Sequence, residues 1–239
     1  MPTALPPYLL LDLDDTILAF DASAEPCWQQ ICVHFAPHLQ GPSAAELYQR
    51  LTQARDWYWS DPERHRQGRL DLDGTRSRII ANALVELGRP NEELAGEIAR
   101  AYGTMRIDSL EAFPGAIETL DYFQSQGIGL ALVTNGTGGE QRAKIERFDL
   151  ARFFTSIVIE GEFGVGKPDP SVFLHALDQL GAQPHQAWMV GDNLDWEIEV
   201  PQQLGMQAIW VDCEKKGLPP DSAVRPDRTI HSLAELGPR

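Results

Sequence analysis

The chain of 239 residues has no long apolar run. The longest one near its start, Tyr8-Leu9-Leu10-Leu11, falls far short of the ~20 residues of a membrane helix, and of a signal-peptide core. Basic residues are few: 20 lysines and arginines against 35 aspartates and glutamates leave a net charge of −15. Nucleic acid and anionic membrane surfaces would repel such a chain, so neither is an expected partner. Cysteine is also scarce. Cys27, Cys32 and Cys213 show no metal-ligand or disulfide spacing, which predicts reduced thiols in a cytoplasmic protein. The six histidines are scattered and none is assigned to a metal, and no repeat or low-complexity segment interrupts the chain. What is present is ordinary for a globular protein, with 43% hydrophobic and 23% charged residues, enough to build a sizeable core.

Two kinds of pattern divide the chain. Tyr8–Leu11 closes on acidic residues and fits a buried strand of a parallel sheet. From Ala22 to Met105 only helical spacing appears. Trp28, Ile31, Cys32 and Phe35 make one stripe, and Leu47, Leu51, Ala54 and Tyr58 a second behind a Ser43–Glu46 capping box. Ile80, Ala83, Leu84 and Leu87 make a third, stopped by Gly88. Leu94, Ile98, Ala101, Tyr102 and Met105 make a fourth, with Asn91 as its cap. After Pro114-Gly115, strands at 129–133, 157–159, 187–190 and 207–211 alternate with helices. Such alternation predicts right-handed crossovers and a parallel sheet covered on both faces.

Ligands of open parallel sheets bind beyond the carboxyl ends of the strands, so the residues there are the candidates. They are Asp12 and Asp14, then Thr134 and Asn135, then Gly166-Lys167-Pro168-Asp169-Pro170, then Gly191-Asp192-Asn193. Any one is a weak signal, but the set in strand order is not a chance pattern. These four groups resemble the four motifs of the haloacid dehalogenase-like (HAD) superfamily, and the resemblance covers roughly residues 8 to 212. The phrases Leu132-Val133-Thr134-Asn135-Gly136 and Gly166-Lys167-Pro168-Asp169-Pro170-Ser171-Val172-Phe173 look most like its small-molecule phosphatases.

The resemblance implies an α/β fold: a Rossmann-like core of residues 1–17 and 111–239, with a four-helix-bundle cap inserted as residues 18–110. It implies Mg²⁺ as cofactor, held by Asp12, Asp192 and the Asp14 backbone carbonyl. Asp12 would be the nucleophile, Asp14 the acid and base, and Lys167 a fixed positive charge. The Thr134 hydroxyl and the Asn135 backbone N–H would bind phosphate oxygens. The chemistry suits these residue types, because a phosphate dianion repels an anionic nucleophile until cations offset it, and Mg²⁺ favours oxygen ligands. The family's last motif usually has a second aspartate five residues after the first, and here that position is Glu197. An outer-shell role is expected for Glu197, with Asp195 as its rival.

The expected activity is hydrolysis of a small soluble phosphate monoester, by a monomer or homodimer. A sugar phosphomutase would keep the same constellation. A 2-haloacid dehalogenase shares the fold and nucleophile but normally lacks an aspartate at the position of Asp14. A binding protein without activity on the same fold is the third alternative. Leu70-Asp71-Leu72-Asp73-Gly74-Thr75 nearly copies the first motif but follows no apolar strand. It reads as a loop, with Asp73 or Thr75 capping the next helix. Trp57, Tyr58 and Trp59 read as core or interface side chains.

Overall fold

Leu9, Leu10 and Leu11 are wholly buried in β1 (Tyr8–Leu11), because that strand has hydrogen-bonded neighbours on both sides. In this computed structural model, which describes residues 5–238, six strands form one parallel sheet. Residues 1–4 and 239, which the expected core domain includes, lie outside the described residues. The other strands are β2 (Gly129–Thr134), β3 (Ser156–Ile159), β4 (Ala187–Gly191), β5 (Gln207–Val211) and β6 (Arg228–Ile230), in the order β3-β2-β1-β4-β5-β6. Five of these carry the expected apolar runs. The sixth is only three residues long and shows no such run.

The chain leaves β1 toward β2 and β3, then returns to β4 on the other side of β1. The switch point therefore lies at the carboxyl ends of β1 and β4. Leu11 pairs with Leu132 and with Val190, so β1 ends two residues short of β2 and one short of β4, and the residues that follow all three emerge at the same edge of the sheet. Each fully buried leucine of β1 contributes about 1.5–3 kcal/mol, which pins this register. On one face of the sheet, Leu10, Ala131, Val133 and Met189 pack with Val172, Phe173, Ala176 and Leu177.

By contacts, Asp21–Leu110 makes one compact unit and the rest of the described chain another. The inserted unit holds α1 (Ala24–Phe35), α2 (Ala44–Trp59), α3 (Pro62–Gly68), α4 (Leu72–Glu86) and α5 (Glu92–Asp108). Its core joins Trp28, Ile31, Leu47, Leu51, Ile80, Leu84, Ile98 and Tyr102. Trp28 stacks on Tyr102 with ring centroids 3.7 Å apart. Ser43 and Glu46 form the capping box, and Asn91 caps α5.

The structure corrects one expectation here. Asp71, not Asp73 or Thr75, caps α4, its side chain accepting from the Gly74 N–H; Asp73 and Thr75 already lie inside the helix. Trp57, expected in the core or an interface, is 59% exposed and so outside the core; it sits near the end of α2, where the Arg64 guanidinium lies 4.0 Å over its ring. The sheet-bearing unit adds α6 (Ala116–Ser125), α7 (Gly138–Arg147), the single turn α8 (Glu160–Phe163), α9 (Pro170–Leu180) and α10 (Val200–Gln203).

Candidate active site

The ladder of β1 runs one residue past its last leucine, for the Asp12 N–H donates to the Val190 carbonyl at 3.0 Å. The chain then folds sharply. Ile17 and Leu18 both donate to the Leu13 carbonyl, Asp15 donates to Leu18, and Asp15 takes a left-handed φ of 56° that aspartate tolerates. This knot of backbone bonds sends Asp12 and Asp14 to different surroundings although only one residue separates them.

Asp12 is buried, and its Oδ1 accepts from the Lys167 Nζ at 2.5 Å. Lys167 is also buried, and its Nζ donates to the Glu197 Oε1 at 2.6 Å. The loop carrying Lys167 is fixed by Asn135, whose side chain donates to the Lys167 carbonyl and accepts from the Lys167 N–H, both at 2.8 Å. Gly166 permits this approach, since a Cβ there would lie 2.6 Å from the Asn135 Oδ1 and 2.5 Å from the Glu160 Cδ.

Asp192 follows β4, and its carbonyl accepts from the Trp210 indole N–H at 2.7 Å. A π-helical turn, Leu194–Glu199, comes next, capped by the Asn193 side chain on the Asp195 and Trp196 N–H groups. This wide turn aims Glu197 back over the strand end, where its Oε2 accepts from the Asn193 N–H at 2.8 Å. Only glycine at 191 leaves it room, for a Cβ would sit 2.1 Å from that oxygen. Of the two acidic residues expected in this loop, Glu197 is buried against Lys167. Asp195 points to solvent and stays outside the cluster.

Carboxylate oxygens of Asp12, Asp192 and Glu197 all lie within 4.8 Å of one another. Burial first, and then the Glu197 charge, push Asp12 up to about 8. The same two causes, with Asp12 next, push Asp192 up to about 9. Burial by itself would lower the Lys167 ammonium, but the Asp12 and Glu197 carboxylates outweigh it and hold it above its ordinary value. Three hard oxygen donors with one ammonium among them fit a Mg²⁺ ion, which neutralises what a single lysine cannot.

Asp14 sits apart from this group. Its two oxygens accept from the Lys144 Nζ at 2.9 and 2.7 Å, and Oδ2 also accepts from the Gln141 Nε2 at 3.1 Å. The same Nε2 donates to the Thr134 Oγ1 at 2.5 Å. Gln141 and Lys144 are buried on one face of α7, three residues apart. The sequence reading missed both. Their one signal is that α7 starts just after Thr134-Asn135, so its first turns point polar groups at a strand end.

The sequence model of the haloacid dehalogenase-like hydrolases matches residues 8–205. Over 162 residues the chain is 38% identical to the phosphoserine phosphatase of Thermus thermophilus, covering 67% of this chain and 63% of that protein. The match thus spans a little under two thirds of that relative's length. To the glyceraldehyde 3-phosphate phosphatase of Methanopyrus kandleri it is 31% identical over 203 residues, covering 84% of this chain and 82% of the other. Among solved structures, the magnesium-bound HAD-hydrolase YfnB of Bacillus subtilis shares the fold with a TM-score of 0.75. That likeness covers 98% of this chain and 97% of the other at 23% identity.

Proposed function

Because the chain belongs to the haloacid dehalogenase-like hydrolases, we propose that it is a phosphatase that hydrolyses a small soluble phosphate monoester through Asp12. One observation carries this reading: two carboxylates close in sequence have opposite settings. Asp12 is buried against Lys167 and beside Asp192 and Glu197, whereas Asp14 is one-quarter exposed and held by Lys144 and Gln141. Enzymes that need a nucleophile and a separate proton carrier divide the work in this way.

In the proposed reaction an Asp12 oxygen attacks phosphorus and forms an aspartyl-phosphate. The bond from phosphorus to the leaving oxygen breaks, and that oxygen takes a proton from Asp14. Water then gives a proton to the Asp14 carboxylate while its oxygen attacks phosphorus, releasing phosphate and restoring Asp12. Lys167, steadied by Glu197, faces the charge of the moving phosphoryl group, and the Thr134 hydroxyl and Asn135 N–H donate to its oxygens. Asp12, Asp192 and the Asp14 carbonyl would hold Mg²⁺, with Glu197 acting outside them through Lys167. When bound, Mg²⁺ supplies positive charge that offsets the carboxylates and the phosphate dianion.

The names of the relatives suggest phosphorylated metabolites of a few carbons, so phosphoserine and glyceraldehyde 3-phosphate head the panel to be tried. Among the described residues no helix is long and apolar enough to cross a membrane. The purified protein is expected to hydrolyse p-nitrophenyl phosphate with Mg²⁺ and to stop on addition of EDTA. Asp12→Asn should be inactive. Undiminished turnover in excess EDTA would end the metal-dependent reading, and conversion of sugar phosphates to isomers without phosphate release would replace hydrolysis by mutase chemistry.

A further inference from the structure

A buried hydroxyl can donate or accept, and a phosphate oxygen can use it only if its hydrogen is free to point there. In this protein a chain of three side chains behind Thr134 decides the matter. Lys144, 1% exposed, is a donor only, and its ammonium faces both oxygens of Asp14 while the Phe20 ring covers it at 3.7 Å. In its carboxylate form, the form paired with Lys144 here, Asp14 has two acceptor oxygens. The atom of Gln141 that lies 3.1 Å from the Asp14 Oδ2 must then be its nitrogen, since an amide oxygen there would meet an acceptor. The amide cannot turn over without losing this bond. The same nitrogen lies 2.5 Å from the Thr134 Oγ1 and donates its second hydrogen there, so the threonine oxygen accepts from behind. The hydroxyl hydrogen is left to point elsewhere; among the described residues it donates to the Asn135 carbonyl, at a long 3.4 Å.

We propose that Gln141, held in its orientation by Asp14 and Lys144, is a positioning residue that sets the Thr134 hydroxyl as a donor to the substrate's phosphate. The proposal rests on the phosphatase reading for the identity of the anion at Thr134. It gives a reason for two polar side chains buried at 1% and 2% exposure on a helix that would otherwise bury apolar groups there. It also gives Asp14 a second task, as the anchor of the amide. Asp14 accepts from the Lys144 ammonium on one side and from Gln141 on the other, and from the Gln141 amide the donors run outward through the Thr134 hydroxyl to the anion.

A double-mutant cycle with Thr134→Val separates positioning from mere packing, because Gln141 can act through Thr134 only while the hydroxyl is present. The probe is inorganic phosphate, titrated calorimetrically into the Mg²⁺-loaded protein. Gln141→Met keeps the length of the side chain and removes both donors. It should weaken phosphate binding about tenfold in the natural background, as expected for a lost hydrogen bond to a charged group. In the Thr134→Val background it should change binding by less than about twofold. If Gln141→Met is poorly folded by its melting curve, Gln141→Leu serves in the same cycle. A tenfold loss in both backgrounds, or in neither, overturns the proposal. Hydrolysis of p-nitrophenyl phosphate by the unaltered protein is measured alongside. Turnover with an additive cycle removes the positioning role and leaves the phosphatase. Neither turnover nor phosphate binding removes both.

Discussion

Asp12 and Asp192 are the residues whose protons depend most on what surrounds them. Burial and the Glu197 charge raise them to about 8 and about 9, well above the 3.8 of a carboxylate in an unfolded chain. Between pH 4 and the raised values the native state without metal holds protons that the unfolded state has released. Its stability therefore falls as pH rises through that window, since stability declines with pH wherever the native state binds more protons. A cation at these carboxylates displaces those protons and removes the penalty. Melting temperatures in EDTA and in Mg²⁺, followed from pH 5.5 to 9, are predicted to diverge with pH, the metal stabilising most at the alkaline end. A gap that stays constant across the range would contradict the assignment of these two residues as ligands.

Among the elements, β1 and α4 show why a motif needs its context. Both are joined to an Asp-x-Asp pattern, yet Asp12 extends a buried strand while Asp71 closes the first turn of a helix. Asp71→Ala should therefore lower stability by about 1 kcal/mol, the usual cost of a lost N-cap, and leave turnover near the natural value. A loss of activity at constant stability would mean that the near-copy has chemistry of its own. The strands were legible because apolar runs such as Leu9–Leu11 and 187–190 can be buried on both faces only in a parallel sheet. β6 was not, since of its three residues, Arg228–Ile230, only Ile230 is buried, and they borrow their pairing from β5. On α7 the sequence Gly-Gly-Glu-Gln-Arg-Ala-Lys-Ile-Glu-Arg reads as a solvated helix. Gln141 and Lys144 are buried there because Asp14 and Thr134 receive them, a pairing between positions more than 120 residues apart in the case of Asp14. The choice between Glu197 and its rival Asp195 was hidden for a similar reason, as the inward turn of Glu197 needs the π-helical turn and the space left by Gly191.

At the scale of the whole molecule, a net charge of −15 opposes any anionic substrate, so the cations that matter must be local and fixed. Lys144 and Lys167 answer this, each buried and each paired with carboxylates. The sheet order makes the arrangement possible. With β1 between β2 and β4, residues from 12 to 197 converge on one strand end, and the switch point sits where Asp12 and Asp192 emerge. The central claim is that this convergence makes Asp12 a nucleophile. The most direct test quenches the protein in acid during turnover of p-nitrophenyl phosphate with Mg²⁺ and maps the covalent phosphoryl group by mass spectrometry. The account predicts an acid-stable, hydroxylamine-labile phosphoryl group on the peptide carrying Asp12, absent when EDTA precedes the substrate. Steady turnover with no acyl phosphate on that peptide, or the group on another residue, would contradict it.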